Sequence, residues 1–349
     1  LKGDLLKARD IYEELECKVV DSEYAPSTIA NIKNNLGETV QRLGEFARAR
    51  KLYEEALAIY TDMKRKRGQA IALSNIAGVC FTQTDYDTAR DMFTEAQDLY
   101  REIGDQLGLA QTISNLGNVY MTVDDHHNAH DNYQQALAIR REMQDQRGIA
   151  DSLGDLALCM MTQDVYAGAI EAFSEALEIR RNIGDRIGEG GALTGRGISY
   201  LLDGQLDNAR RDLGRAQLIG EETGFVFVRA QAYAGLGEVA FTEGRYDEAM
   251  RYFKMVLGEN NEEAPLPTVL WGLLGIAQIK AARGDELKAL SIVTLILRYP
   301  RNYINIIERR TTDLLDQLTA SVAPENVQST MTASKSLVLE NVVAELLAE

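Results

Sequence analysis

The residues with the plainest chemical potential share one stretch, "DDHHNAHD" at positions 124 to 131. It holds all three histidines of the chain, His126, His127 and His130, beside Asp124, Asp125 and Asp131. On a helix, His126 and His130 are four residues apart and share a face, and two imidazoles with a carboxylate can hold a zinc ion. A metal or small-ligand sensor is therefore one reading of the sequence. The cysteines, Cys17, Cys80 and Cys159, lie far apart in apolar surroundings and read as buried thiols in a reducing cytosol, not as disulfides. With the histidines in one cluster and the thiols at apolar places, no Ser–His–Asp or Cys–His arrangement is available, and an enzyme is not expected.

A glycine run, "GEGGALTGRG" at 188 to 197, invites a phosphate-loop reading. That fingerprint needs a strand before the glycines and a helix after them. Here they fall inside a helical pattern, so the run reads as a flexible or closely approached point, and no cofactor is expected. Acidic residues outnumber basic ones by 53 to 37, giving a net charge of −16, which excludes an extended nucleic-acid surface. "MKRKRG" at 63 to 68 is the one basic cluster and reads as a solvated helix end. The longest apolar runs fall far short of a membrane span and the start is not signal-like, so the expected setting is the cytoplasm.

The elements that carry these residues are repeats. A small residue recurs every 40 positions at Gly37, Ala77, Gly117, Ala157, Gly197, Gly237 and Ala277. Alanine recurs in step at Ala49, Ala89, Ala129, Ala169, Ala209, Ala249 and Ala289. A large apolar residue follows four later, at Tyr53, Phe93, Tyr133, Phe173, Leu213, Phe253 and Val293. Within each copy two segments place apolar residues at i, i+3, i+4 and i+7, so each copy reads as two helices. The small residues let the paired helices approach. Gly104 and Gly184 suit a left-handed helix end, and Asp105 and Asp185 suit the next N-cap. No copy can bury its apolar face alone, so neighbours must stack into one continuous core.

This pattern of small residue, alanine, aromatic and alanine resembles the tetratricopeptide repeat. The proline that usually closes the second helix is missing (Thr61, Arg101, Arg141 and Arg181 stand there), and the period is 40 where the family's is about 34. Both departures resemble the long-helix subclass of kinesin light chains, Pins-type polarity adaptors and the sensor arms of bacterial STAND-type ATPases. The resemblance implies an all-α fold, a right-handed superhelical solenoid of helical hairpins with a C-terminal helical cap. Residues 1–29 read as a partial repeat that keeps only the second helix, 30–301 as seven repeats, and 302–349 as capping helices. The opening "LKGDLLKARDIYEEL" then reads as the remainder of a repeat in a longer protein. The tail resembles the ending of many bacterial multidomain regulators.

The resemblance also implies a protein or peptide ligand on the concave face, which the first helix of each pair lines. Asn35, Asn75 and Asn115 fall there in step, continued by Asp155 and joined by Asn31, Asn34 and Asn118. A side-chain amide both donates and accepts, so such a row can bond the backbone of an extended peptide. Alternatively, the amides bond between helices. A second row, Phe81, Met121, Met161, Leu201 and Phe241, is either an exposed apolar stripe for a partner's anchors or packing between adjacent helices. Trp271 is placed on the same inner surface. Capture of a chaperone's C-terminal carboxylates is disfavoured, because Asn34 is followed by Glu38 and Ser74 by Gly78. The expected function is a binding scaffold, the sensor or regulatory domain of a larger bacterial signalling protein, partnered also by the rest of its own polypeptide. A cytoskeletal or polarity adaptor is the alternative.

The repeat frame weakens the metal reading of the opening stretch. His126 stands where Phe46, Tyr86, Tyr166 and Tyr246 stand, His127 where Asp87 stands, and His130 where Arg50 and Arg90 stand. His126 is expected to pack inward in place of an aromatic ring, leaving no shared face with His130.

Overall fold

A computed structural model describes residues 2–20, 26–258, 265–299 and 305–349, and every regular element among them is a helix. The chain divides into two compact units, Leu1–Ser152 and Leu153–Glu349. The first holds α1 (Lys2–Val20), α2 (Pro26–Arg42), α3 (Phe46–Asp62), α4 (Lys66–Thr82), α5 (Tyr86–Ile103), α6 (Gln106–Thr122), α7 (His126–Glu142) and the start of α8 (Gln146–Thr162). The second holds the rest of α8, then α9 (Tyr166–Asn182), α10 (Arg186–Leu202), α11 (Leu206–Thr223), α12 (Val226–Thr242) and α13 (Tyr246–Gly258). It continues with α14 (Leu266–Ala282), α15 (Glu286–Ile296), α16 (Asn305–Ser321), α17 (Pro324–Ser334) and α18 (Leu339–Ala348). Within each unit, helical hairpins stack on their neighbours in the manner of an α-solenoid.

The turns explain the repeat length. A left-handed residue recurs every 20 positions from Gly44 to Gly244 and again at Gly284. At every one of these turns except that of Gly224 it closes the helix by the six-to-one bond seen from Asp85 N–H to the Cys80 carbonyl at 2.9 Å. Glycine fills most of these places, but Lys64, Thr84, Asp124, Gln144 and Asp164 also take positive φ. The next residue then starts the following helix. Asp85, Asp105, Asp125 and Asp185 each accept from the backbone N–H three residues on, the expected capping bond.

The small positions sit where helices touch. A Cβ added at Gly37 would lie 2.6 Å from the Tyr53 ring, and one at Gly117 lies 2.6 Å from Tyr133. In the glycine run, a Cβ at Gly195 would meet Phe173 at 2.3 Å and one at Gly190 would meet Val228 at 2.9 Å. The run is a point of close approach, inside α10.

One expectation about the thiols is corrected. Cys80 and Cys159 are buried, and burial pushes both thiols up in pKa, but Cys17 is exposed. It lies on α1, where much of the helix surface, including Ile11 and Leu15, faces solvent. No described helix is long and apolar enough to cross a membrane.

Candidate functional site

In the first unit the asparagines sit on the first helices α2, α4 and α6, and neighbouring chemistry fixes several of them. Asn75 Nδ2 donates to Asn34 Oδ1 at 2.9 Å, so these two half-buried amides join adjacent first helices. Asn31 and Asn118 are exposed, but each oxygen accepts a tyrosine hydroxyl, from Tyr60 at 2.6 Å and from Tyr133 at 2.7 Å. Those bonds use the amide oxygens and leave the NH₂ groups of these exposed side chains available as donors. Asn35 is exposed, and half-buried Asn115 accepts from Gln111 at 3.2 Å. Asp155, half-buried on α8, falls in the second unit. The helix-to-helix reading of the row thus applies to two of its members. Asn34 and Asn75 tie helices together, whereas Asn31, Asn35, Asn115 and Asn118 keep polar atoms on or near the surface.

Tyr60 and Tyr133 were not among the expected site residues. Tyr133 was legible as the aromatic of the repeat, but its hydroxyl partner was not. Its ring fills the space that Gly117 leaves, which brings the hydroxyl to the next residue, Asn118.

The apolar row divides as well. Phe81 packs edge-on against Tyr86 with centroids 5.7 Å apart, and Phe241 packs against Tyr246 at 5.5 Å. Both are half-buried, as are Met121 and Leu201, at the junction between the two helices of a pair. Met161 is only 7% exposed. The placement of Trp271 on an open inner surface is corrected: it is buried in the core of the second unit. Its indole N–H donates to Glu238 Oε1 at 3.0 Å, and Arg310 of α16 donates to Glu238 Oε2 at 2.7 Å. Periodicity carries no sign of this cluster, because Arg310 lies beyond the repeating region.

The opening histidines fall as the repeat frame places them. Asp124 is the left-handed turn residue and Asp125 the N-cap, held below the usual carboxylate range by hydrogen bonds from the Asn128 side chain and backbone. His126 is half-buried at the first position of α7, like Tyr86 and Tyr166 at theirs. His127 is exposed and lies 3.7 Å from Asp131, as does His130. Among the described residues, no group of three or more His, Cys, Asp or Glu side chains is arranged to hold a metal ion.

Comparison with known proteins places this arrangement. Profiles described as tetratricopeptide repeat match residues 28–102, 68–142 and 227–265. No curated protein matches the chain. Among solved structures 216 chains match. A Rap protein complexed with Competence and Sporulation Factor is 15% identical with a TM-score of 0.63, covering 98% of this chain and 95% of its own. A tetratricopeptide repeat protein from Parabacteroides merdae is 16% identical at a TM-score of 0.60, covering 84% of this chain and 99% of its own. A STAND protein with a tetratricopeptide repeat sensor, from Pyrococcus horikoshii, is 15% identical at 0.57, covering 98% of this chain and 55% of its own. At these identities the likeness is one of fold, a scaffold of the kind used for protein–protein interaction.

Proposed function

Because the chain is a tetratricopeptide-repeat protein, we propose that it binds a protein or an extended peptide on the face formed by its first helices. The observation that carries this reading is the pair of exposed amides Asn31 and Asn118, each held through its oxygen by a tyrosine hydroxyl. With exposed Asn35 and half-buried Asn115, they supply donors and acceptors that a peptide backbone can use without a fixed sequence. Half-buried Phe81 and Met121 border this face and offer adaptable apolar contact to a partner's anchors. The protein acts without catalysis or cofactor.

We further infer that this is the sensor or regulatory arm of a larger cytoplasmic signalling protein. The division into a partial repeat (1–29), seven repeats (30–301) and a cap (302–349) belongs to the same reading. The direction comes from two similar structures, a Rap protein in complex with a factor and a STAND protein whose repeats are a sensor. Peptides selected on the whole chain from a random display library test the proposal. Asn35→Ala combined with Asn115→Ala should weaken the selected peptides at least tenfold without lowering the melting temperature. Undiminished binding would refute the assignment.

A further inference from the structure

The first-helix face changes character along the second unit. Glu238 on α12 is 0% exposed, although its repeat equivalents Glu38, Asn118 and Leu158 are exposed. Trp271 on α14 is 7% exposed, although Asn31, Ile71, Gln111 and Asp151 at the same repeat position are exposed. The covering element is α16. Its Ile307, Thr311, Leu314 and Leu318 form a buried stripe at helical spacing, while Thr312, Asp313, Asp316 and Gln317 face out. Arg310 meets Glu238, and Arg309 reaches Asp164 in the α8–α9 turn at 3.8 Å. α16 packs on the preceding hairpin, against α15 and α14, and its Arg310 and Arg309 extend its reach to the first helix α12 and to the α8–α9 turn.

The last hairpin is covered by α17 and α18 as well as by α16. On α17, Ser334 bonds Ser291 of α15 at 3.2 Å, and Arg298 donates to the Leu337 carbonyl at 2.7 Å. On α18, Val342, Val343 and Leu346 are buried, and Glu349 pairs with Lys280 at 2.8 Å. The fit beneath α16 is open by comparison. An open groove of ≈ 560 Å³ lies between it and the ends of α12 and α14, lined by Phe241, Leu314 and Leu318 and by the polar Gln278, Arg310, Asp313 and Gln317. The buried Oε1 of Gln278 has no hydrogen-bond partner among the described residues. Solvent therefore reaches the seam along this groove, which the core below it does not allow.

We propose that the first-helix face of α12 and α14 is a helix-binding site occupied internally by α16. Its external ligand is an amphipathic helix with adjacent arginines followed by leucines at four-residue spacing, the pattern of Arg309, Arg310, Leu314 and Leu318. The arginines answer Asp164 and Glu238, and the leucines answer the apolar surface of Phe241, Ala281 and Ala282. An external helix of this class replaces α16 and thereby frees the C-terminal segment, which converts partner binding into a change in the chain itself. The inference rests on the reading of the first-helix face as the ligand surface.

The test uses the full chain and a fluorescein-labelled peptide of residues 305–321, followed by anisotropy. Arg310→Glu with Leu314→Glu sets a second carboxylate against Glu238 and a charge in the apolar stripe, so α16 leaves the face. This variant should bind the peptide at least tenfold more tightly than the parent chain. Trp271, the sole tryptophan, should emit at longer wavelength in the variant and return when peptide is added. A peptide with both arginines changed to glutamate should not bind. A folded variant with unchanged Trp271 emission and no gain in peptide affinity overturns the proposal. If circular dichroism shows the variant unfolded, Arg309→Ala with Arg310→Ala decides: at least a threefold gain supports the proposal and no gain overturns it. The broader scaffold reading is tested at Asn35 and Asn115, on helices α2 and α6, so either idea can fail alone.

Discussion

Trp271 and Glu238 form a buried hydrogen-bonded pair 33 residues apart, the indole N–H reaching a carboxylate oxygen at 3.0 Å on the adjoining first helix. The second oxygen takes Arg310, so one carboxylate ties α12, α14 and α16 together. Removing it leaves a buried N–H without an acceptor and a half-buried guanidinium without its charge partner. Glu238→Ala should therefore cost about 3 kcal/mol, the scale of breaking a buried ion pair from one side. Glu238→Gln keeps an acceptor for the indole and should cost roughly half that. Urea unfolding followed by circular dichroism measures both. A loss below about 1 kcal/mol for the alanine variant would contradict the bridging role.

The small position of the repeat yields a second prediction. Gly117 and Tyr133 are in close contact, and the Tyr133 hydroxyl is anchored to Asn118, so the ring cannot swing away from an added methyl. Gly117→Ala should destabilise the chain by about 2 kcal/mol through overpacking. Adding Tyr133→Phe releases the ring and recreates the alanine–phenylalanine pairing present at Ala77 with Phe93 and at Ala157 with Phe173. The double variant should be less impaired than the sum of the singles by at least about 0.5 kcal/mol in a double-mutant cycle. Strict additivity would show that the anchored hydroxyl is irrelevant.

These two contacts mark what the sequence could and could not reveal. The helical pairs, the cap at Asp105, the left-handed Gly104 and the close approach at Gly37 are all periodic, so each copy reports on the others. The Gly117–Tyr133 contact belongs to that class. The Glu238–Trp271–Arg310 cluster does not, because it joins residues in different repeat positions to a helix outside the period. For the same reason the burial of Trp271 is not legible: its repeat position is exposed or half-buried in the other repeats. The asparagine row was legible as a row, but which amides would bond to each other and which to tyrosine depended on side-chain geometry that spacing does not carry.

The 20-residue turn gives a third prediction. Thr84 holds φ +64°, a region that a β-branched residue enters at a cost, where Gly104 and Gly184 sit without one. Thr84→Gly should stabilise the chain by about 1 kcal/mol, the relieved strain exceeding the added unfolded-state entropy. A calorimetric melting temperature that falls or stays level would contradict the strain.

Acid stability supplies a fourth. Burial alone would raise the Glu189 carboxyl, but hydrogen bonds from Arg181 at 2.9 Å and Arg186 at 2.7 Å outweigh it and hold the group below its ordinary value. A carboxylate lowered in the folded state contributes stability that is complete above its unfolded pKa, about 4.3. That contribution is lost as pH falls through the lower folded value. The gap in melting temperature between the parent chain and Glu189→Gln should therefore be constant from pH 7 to about 5 and shrink below about pH 4. A gap that widens on acidification would reverse the sign and contradict the pairing.

The scaffold reading stands or falls on which face a ligand touches. A photo-crosslinking residue placed at Asn35 or Asn115 on first helices, and in parallel at exposed Glu54 or Glu95 on second helices, reads that face directly with a library-selected peptide. The account predicts strong crosslinks from 35 and 115 and none above background from 54 and 95. Crosslinks confined to 54 and 95 would place the ligand on the opposite face and contradict it.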